Sequence, residues 1–236
     1  EMKAMEETLS LQAEWSALPE TENFLIERTK TRQGTSWFLF PFAGRLAHEG
    51  MAALVAYRMS RIEPMTLSVS FNDYGFHLCS NSDRDIALPE WKSLLSPDAV
   101  TDELVACMNL SEMAKRQFRE IARVAGIVFQ GYPGSQKSNR QLQASGGLFY
   151  DVFSKYEPEN LLLVQSKREV LEGQLEVERM REALQRISNQ AFILKKPKKL
   201  TPFSFPLWAE SIRAQLSTES WGDRVRKMAM ELEQSI

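Results

Sequence analysis

The chain has 236 residues, of which 43% are hydrophobic and 25% are charged, and its formal net charge is −2 at neutral pH. This length can bury a proper core in one large domain or two small ones, and the composition excludes fibrous and disordered classes. Apolar runs such as Met51–Tyr57 are too short to span a bilayer, and we find no secretion signal at the start of the sequence. The two cysteines are too few for a disulfide framework or a four-ligand zinc site. We therefore expect a cytoplasmic protein with no membrane partner.

The N-terminal third is predicted to be rich in β-strands. Residues 3–18 have a helical pattern that ends before a proline. Two apolar segments, Asn23–Thr29 and Thr35–Phe42, flank a short turn and predict a β-hairpin. Apolar and polar residues alternate over Thr66–Phe71, which predicts a half-buried strand, and turn residues then precede a second short strand, Tyr74–Cys79.

The remaining pattern is mainly helical. A helix is predicted between the strands at 46–61, and others near 97–107, 110–125, 138–155, 160–188, 206–216 and 219–234. A strand-like segment, Ala191–Leu194, precedes the run Lys195–Lys199, which we interpret as an exposed loop. Strands first and helices afterwards predict an α+β fold. We expect antiparallel strands, as a partial barrel or twisted sheet, covered by and followed by a helix-rich region.

The start of the predicted helix at 46–61 carries an unusual group of residues. Gly44, Arg45, His48 and Gly50 lie at a strand-to-helix turn, where glycines reduce helix stability. One interpretation is that backbone amides at the helix start approach a phosphate, with Arg45 and His48 beside it. The other is packing geometry, in which Gly44 makes the turn and Gly50 lets a strand cross the helix closely.

A local excess of positive charge follows in residues 113–140. Six basic residues stand against Glu120 alone, which gives six minus one, or +5. The six are Lys115, Arg116, Arg119, Arg123, Lys137 and Arg140. Lys115, Arg119 and Arg123 recur every four residues and therefore share one face of a helix. The opposite face is expected to carry the apolar residues Ala114, Phe118, Ile121 and Ala125. Such a face is either simply solvated or lies against an anionic partner that offsets the repulsion between like charges.

Two motifs suggest enzymatic chemistry but lack a part that the chemistry needs. Gly131–Ser138 follows a strand-like apolar segment, Gly126–Phe129. It matches a phosphate-binding P-loop except at Gln136, where a glycine is needed for backbone amides to wrap the phosphates. His48 and Glu49 resemble the start of a zinc-protease helix, but Ala52 stands where the second histidine belongs. No nucleophile motif accompanies either histidine. We therefore predict no metal site, no bound cofactor and no catalysis in this chain.

Trp15 differs from the other four tryptophans because it ends a polar helix close to a proline. An aromatic side chain in that position can stack on an unpaired base, an interaction of about 1–3 kcal/mol. Packing between two domains is the alternative role.

Segments over nearly the whole chain resemble, in the same order, the C-terminal region of the Lhr-type (large helicase-related) ATP-dependent helicases, in particular the ligase-associated DEXH-box subgroup. The matching segments are Leu11–Pro19 (LQAEWSALP), Asn23–Glu27, Pro41–Arg61, Phe118–Gly126, Lys137–Asp151, Ser166–Leu175 and Thr201–Glu210 (TPFSFPLWAE). Their common order makes the resemblance specific.

The resemblance implies a place within a larger protein. In such helicases two RecA-like motor domains and a winged-helix domain come first, and the parent uses ATP and magnesium to move 3′ to 5′ along single-stranded DNA. Residues 1–20 would be a connecting helix from the winged-helix domain, and 21–236 the Lhr-type C-terminal (DEAD/H-associated) domain, described as barrel-like. The parent would be a bacterial, nucleoid-associated DNA-repair enzyme.

Two functions follow as expectations. In the first, the chain is an accessory module that helps to form the channel for single-stranded DNA or a DNA/RNA hybrid. The expected contacts are Trp15, Arg45, His48, Lys115, Arg119, Arg123, Lys137 and Arg140. In the second, it is a protein-interaction module that docks on the motor domains or on a repair partner such as a DNA ligase or nuclease.

Overall fold

The computed structural model describes residues 2–31, 33–107, 110–128, 131–132, 135–136, 139–174, 176–213, 222, 225–226 and 230. The chain divides into two units, of which the first comprises Glu1–Val100 and Arg179–Ile236 and the second Thr101–Glu178. The first unit is therefore built from two separate stretches of sequence, whereas the second is continuous.

The described elements follow one another as α1 (Met2–Trp15), β1 (Asn23–Thr31), β2 (Gly34–Leu39), α2 (Arg45–Ile62), β3 (Leu67–Phe71), β4 (Phe76–Ser80), α3 (Leu88–Leu94), α4 (Val100–Cys107), α5 (Leu110–Val124), β5 (Gly131–Tyr132), β6 (Ser135–Gln136), α6 (Asn139–Tyr156), α7 (Leu161–Glu169), a π-helical turn (Val170–Gln174), α8 (Val177–Ser188), β7 (Ala191–Lys195) and α9 (Ser204–Arg213). The α+β class predicted from the sequence is confirmed.

The first unit is built on a five-stranded sheet with the order β3-β4-β2-β1-β7. The predicted hairpin is present as β1 and β2, which pair antiparallel from Ile26 opposite Leu39 to Thr31 opposite Gly34. Gly34 has a φ of 128°, and a Cβ there would lie 2.2 Å from the Ser80 carbonyl oxygen, so the turn needs glycine. The sheet is not closed, since β3 and β7 form its edges within the described residues.

Strand β7 pairs parallel with β1, in register from Asn23 beside Ala191 to Glu27 beside Lys195. The other strand pairs are antiparallel. Helix α2 packs against β3 and β4, and α9 contacts the same two strands. The Ser70 hydroxyl on β3 donates to the Leu207 carbonyl of α9, whereas Arg45 of α2 lies over the ring of the next residue, Phe71. Because neighbouring residues of a strand face opposite ways, the two helices cover opposite faces of the sheet.

Helix α1 is anchored to the sheet by a buried polar network around Glu27. The Gln12 amide, which is fully buried, donates to the Glu27 carboxylate at 2.8 Å and to the Ala17 carbonyl at 3.1 Å. The Thr201 hydroxyl donates to the other Glu27 oxygen at 2.7 Å, and Gln12 accepts from the Phe203 backbone N–H. The described part of α1 therefore packs into the first unit, and the predicted connection to a preceding domain stays a prediction.

The second unit has an aromatic helical core. Phe118 of α5 is fully buried, and its ring meets those of Tyr150 and Phe153 of α6 edge to face at 5.5 and 6.1 Å between centroids. Ala114 and Ala122 complete a buried stripe along α5 at a spacing of four residues. This stripe replaces the apolar face expected from the sequence, because Ile121 is only half-buried and Ala125 is exposed.

Two predictions about the helical part of the chain were wrong. The helix expected over 160–188 is interrupted, because Glu176 has a φ of 44° between the π-helical turn and α8. Gly126 ends α5 with a φ of 75°, and the backbone N–H groups of Ile127 and Val128 donate back to the Ala122 carbonyl. Residues 126–128 therefore form a helix terminus and not the expected strand.

Smaller differences concern helix bounds. Helix α3 was not predicted, and the helix expected at 97–107 begins at Val100. Of the helix expected at 219–234, most residues lie outside those described, as do 214–216. The P-loop-like segment contains β5 and β6, which pair antiparallel as Gly131 opposite Gln136 and Tyr132 opposite Ser135. This pairing makes a hairpin and differs from the loop-to-helix turn of a P-loop.

Candidate nucleic-acid interface

The sequence predicted the cations of α5 opposite its apolar face, but the basic face borders the buried stripe. Lys115, Arg119 and Arg123 each follow a buried residue of the stripe by one position, which is about 100° around the helix. Arg123 is exposed, and Lys115 and Arg119 are half-buried. Half-burial of a long basic side chain places its aliphatic stem on the protein surface and leaves the charged end near solvent.

Two of these three cations are paired with carboxylates. The Lys115 ammonium lies 2.7 Å from Asp151 Oδ1 of α6, and the Arg123 guanidinium lies 2.6 Å from Glu120 Oε2, three residues earlier in the same helix. Exposed pairs of this kind are worth about 0–1 kcal/mol, so they can exchange for other anions. They nevertheless lower the positive charge that this face presents.

Arg119 is held in a different way. A Cβ added to Gly146 of α6 would lie 2.7 Å from Arg119 Cγ, and one added to Gly147 would lie 3.3 Å from Lys115 Cε. The two glycines therefore let the stems of both cations lie directly against α6. None of the described carboxylates forms an ion pair with Arg119. The adjacent glycines are visible in the sequence, but the cations above them are identified only in three dimensions.

The two remaining cations of the basic segment are not located. Arg140 belongs to α6, but its side chain lies outside the described part of the structure, and Lys137 lies outside it entirely. Their role in binding stays a prediction.

The N terminus of α2 is the second expected contact. Gly44 precedes the helix with a φ of 89°, a conformation that favours glycine, and it has no side chain that could cap the first amides. The Arg45 guanidinium lies 5.3 Å from the Phe71 ring centroid and 3.5 Å from Glu210 Oε1. A second guanidinium was not foreseen: Arg179 Nη1 lies 3.4 Å from the position of a Cβ on Gly44. Gly50 is buried within α2.

His48 is part of the packing beneath this turn. It is fully buried, its Nε2 accepts from the Ala43 backbone N–H at 2.9 Å, and its Nδ1 donates to the Asn72 carbonyl at 2.6 Å. Burial lowers the pKa of His48, opposed by the hydrogen bond to Asn72 and by Asp73, so the neutral ring is favoured. Both ring nitrogens are therefore occupied, and the expected contact of His48 with a phosphate does not fit this conformation.

His77 is also buried and neutral. Its ring stacks on Phe38 with 4.5 Å between centroids, and burial lowers its pKa from 6.5 to about 3. Its Nδ1 lies 3.2 Å from the Ser70 hydroxyl, whose own hydrogen goes to Leu207, so Nδ1 is the protonated nitrogen. Its Nε2 has no hydrogen-bond partner among the described residues.

Trp15 lies at the end of α1, half-buried, with a cation on its ring. The Lys199 ammonium stands 3.4 Å from the indole centroid, a cation–π contact. Lys199 belongs to the basic run after β7, which the sequence alone indicated to be a plain exposed loop. The structure therefore places a basic segment beside the expected stacking residue.

No three His, Cys, Asp or Glu side chains in the described part of the chain are grouped so as to hold a metal ion. Within the same residues, no helix is long and apolar enough to cross a membrane.

The family model described as DEAD/H associated matches residues 18–204, which is most of the chain. The chain belongs to the DEAD/H associated family. This membership confirms the resemblance to the C-terminal region of Lhr-type helicases.

Curated relatives of this DEAD/H associated chain carry helicase names. It is 27% identical over 209 residues to the ATP-dependent helicase Lhr-Core of Methanocaldococcus jannaschii, covering 87% of this chain and 24% of the relative. It is 23% identical over 166 residues to the ATP-dependent helicase Lhr-Core protein 2 of Thermococcus barophilus, covering 70% of this chain and 19% of the relative. The chain thus spans about a quarter or less of these relatives.

Among solved structures, the DEAD/H associated chain is similar to Mycobacterium smegmatis helicase Lhr bound to ssDNA and AMP-PNP. The TM-score is 0.63 at 20% sequence identity, and the match covers 85% of this chain and 26% of that one. At this identity the similarity establishes the fold.

Proposed function

We propose that this chain is the accessory C-terminal module of a longer, Lhr-type ATP-dependent helicase that moves 3′ to 5′ on DNA, and that it contacts single-stranded DNA without catalysing a reaction itself. The family match over residues 18–204 and the helicase names of the relatives support the first part. In the parent, ATP and magnesium would be bound by motor domains outside this chain. The similar helicase Lhr of Mycobacterium smegmatis is bound to ssDNA, which supports the choice of ligand.

The observation that carries the DNA-binding part is the placement of Arg119. Its stem lies against Gly146, so its guanidinium is directed by packing, and no described carboxylate neutralises it. Lys115 and Arg123 flank it on the same face of α5 and can exchange their exposed carboxylate partners for phosphates. A polyanion along this face would also relieve the repulsion between like charges.

The first unit contributes a separate set of contacts under this proposal. Arg45 and the uncapped amides at the start of α2 suit a phosphate, and Trp15 suits a base. His48 is left out because its ring nitrogens are occupied. Lys137 and Arg140 remain in the proposal on the strength of the sequence.

The test measures the affinity of the 236-residue chain for a fluorescent oligothymidine of about 20 nucleotides. Fluorescence anisotropy gives this affinity at salt concentrations between about 50 and 200 mM. We expect affinity to fall steeply with salt, and Arg119→Glu to weaken binding at least about tenfold, or about 1.4 kcal/mol. The matched control is Arg168→Glu, which makes the same charge change at an exposed arginine of α7 that is paired with Glu172. No binding, or binding indifferent to salt, would refute the proposal.

A second candidate function, docking on a protein, is favoured by an exposed apolar stripe on α6. Leu148, Val152 and Tyr156 recur every four residues and are 64%, 40% and 69% exposed. The partner would be a motor domain of the longer parent protein, or a repair protein such as a ligase or nuclease. This function would be supported if wild type captures such a partner and Val152→Asp does not, while both bind DNA equally. Partner binding retained by Arg119→Glu and Arg123→Glu, with DNA binding lost, would support the first.

A further inference from the structure

The basic run after β7 is brought to α1 by the topology of the sheet. Lys195 ends β7 beside Glu27 in the parallel register, so the two side chains face the same side of the sheet. Glu27 is also the residue to which Gln12 of α1 is hydrogen-bonded. Lys199 then places its ammonium over Trp15, three residues after Gln12. The run Lys195–Lys199 and the end of α1 are therefore neighbours in the first unit.

The lysines of this run differ in how their charge is used. The Lys196 ammonium is paired with Asp85 Oδ2 at 2.6 Å. Lys195 and Lys198 are exposed, Lys199 is half-buried against the indole, and none of these three forms an ion pair with a carboxylate in the described part of the chain. Three lysines of the run thus carry charges that no described carboxylate pairs with, and one of the three, Lys199, contacts the indole.

The combination of lysines with the Trp15 indole favours one class of anionic partner over the others. An acidic protein surface or a simple anion would contact only the cations and would make no use of the indole. A half-buried indole among these lysines suits a strand whose phosphates contact the cations and whose unpaired bases stack on the ring. The Lys199 ammonium covers one face of the indole, so a base could stack there only after this flexible side chain moves aside.

We propose that Lys195, Lys198 and Lys199 form, together with Trp15, a binding surface for single-stranded nucleic acid on the first unit. The lysines contact successive phosphates, and one base stacks on the indole in place of Lys199, whose ammonium turns to a phosphate. This inference rests on the proposed function and adds a second contact surface to that of α5.

The experiment uses the same chain and oligothymidine and measures how affinity depends on salt. Each phosphate contact to a single strand contributes about 0.7 to the slope of log K against log salt, so replacing all three lysines by alanine should lower the slope by about 2. Lys196→Ala is the matched control, because its charge is paired with Asp85, and it should change the slope by less than one contact. Circular dichroism verifies folding, and Lys199→Arg, which keeps the cation, should bind as the wild type does.

Stacking has its own readout. An abasic oligonucleotide of equal length keeps the phosphates but lacks bases, so wild type should bind it about tenfold or more weakly than oligothymidine. In Trp15→Ala this difference should largely disappear. Polyglutamate, which supplies negative charge without bases, should compete poorly.

The outcomes separate the two proposals. If wild type binds but the triple alanine variant keeps its affinity and slope, the lysine surface is refuted while the proposed function stands. If polyglutamate competes as well as oligothymidine, or Trp15→Ala still discriminates fully against the abasic strand, the surface is not a stacking site and the inference fails. If wild type binds no oligonucleotide, both fail.

Discussion

Basic side chains gather on α5 in the second unit and on the run Lys195–Lys199 in the first, and the two groups are held differently. On α5, two of three cations are paired with nearby carboxylates, and the stems of Lys115 and Arg119 lie on a pair of glycines. In the run, one lysine is paired and another covers an aromatic ring. The formal +5 of residues 113–140 therefore overstates the charge that α5 presents, whereas the run looks unremarkable in sequence.

The difference teaches that the support beneath a charge matters as much as the charge itself. Arg119 owes its position to the helical core below it, so changes in that core should alter its binding. The lysine run follows an edge strand and owes its position to the pairing of β7 with β1. A destabilising substitution in one unit should therefore weaken binding at the basic surface of that unit more than binding at the basic surface of the other unit.

The largest effect is expected from removing the core beneath α5. Phe118→Ala should lower the free energy of unfolding of the second unit by about 3–5 kcal/mol, because Phe118 is fully buried and its loss leaves a cavity. Residues 101–178, which make up the second unit, contain no tryptophan, so tryptophan fluorescence reports on the first unit while far-UV circular dichroism reports on both. Urea unfolding followed by both signals checks this. Two signals that shift equally would contradict independent support of the two surfaces.

A smaller loss is expected from crowding the contact between α5 and α6. Gly146→Ala should cost about 1–3 kcal/mol, because the new methyl group would lie 2.7 Å from Arg119 Cγ and one of the two must move. Its oligothymidine affinity should fall as well. Gly173→Ala in the same unit is the control, since nothing lies within 4 Å of the added Cβ; its stability should be unchanged or raised by up to about 1 kcal/mol. Equal behaviour of the two variants in thermal melts would count against the packing explanation.

Mild acid should act on the first unit selectively, because both histidines of the chain, His48 and His77, lie there. The folded pKa of His77 is about 3 against an unfolded value of 6.5, so between these values the unfolded state binds more protons and stability falls as pH falls. At pH 5.5 the loss from His77 is about 1 kcal/mol, and the lowered pKa of His48 acts in the same direction.

Urea unfolding followed by tryptophan fluorescence at neutral pH and at pH 5.5 measures this loss. His77→Gln removes one titrating group and should lose less stability over the same interval. A variant with the same pH dependence as wild type would show that His77 is not responsible.

The smallest effects are expected where exposed ion pairs are cut. Arg123→Ala and Lys196→Ala should each change the free energy of unfolding by less than about 0.5 kcal/mol, since both pairs are solvent-exposed. Chemical denaturation suffices to measure this. A loss above about 1 kcal/mol in either variant would mean that the pair supports its surface structurally.

Local patterns predicted much of this fold. The period of two over β3 and the turn-bounded apolar runs of β1 and β2 indicated the hairpin and the sheet, and the spacing along α5 placed its cations on one face. These features depend on residues close together in the sequence. The family resemblance, which depends on the order of many such local segments, was confirmed for the same reason.

Features that depend on distant residues were not predictable. Nothing local indicates that β7 pairs with β1, that Gly146 receives Arg119, or that Asp151 pairs with Lys115. The helix break at Glu176 requires a backbone conformation that the helical pattern predicted over 160–188 does not indicate. The hydrogen bonds that occupy both ring nitrogens of His48 were not predictable for a similar reason, since the partner carbonyl at Asn72 lies 24 residues away.

The parallel pairing of β7 with β1 has a consequence for biosynthesis. The fifth strand of the sheet leaves the ribosome only after residues 101–178 have been made, and long-range strand pairing of this kind forms slowly. The second unit is continuous in sequence, so its helical core can form before β7 is made. At that stage the sheet of the first unit still has an unpaired edge at β1. A nascent chain stalled at the point where Ser188 has just left the ribosomal exit tunnel should therefore be protected from protease over the helical unit and remain open to cleavage around α1.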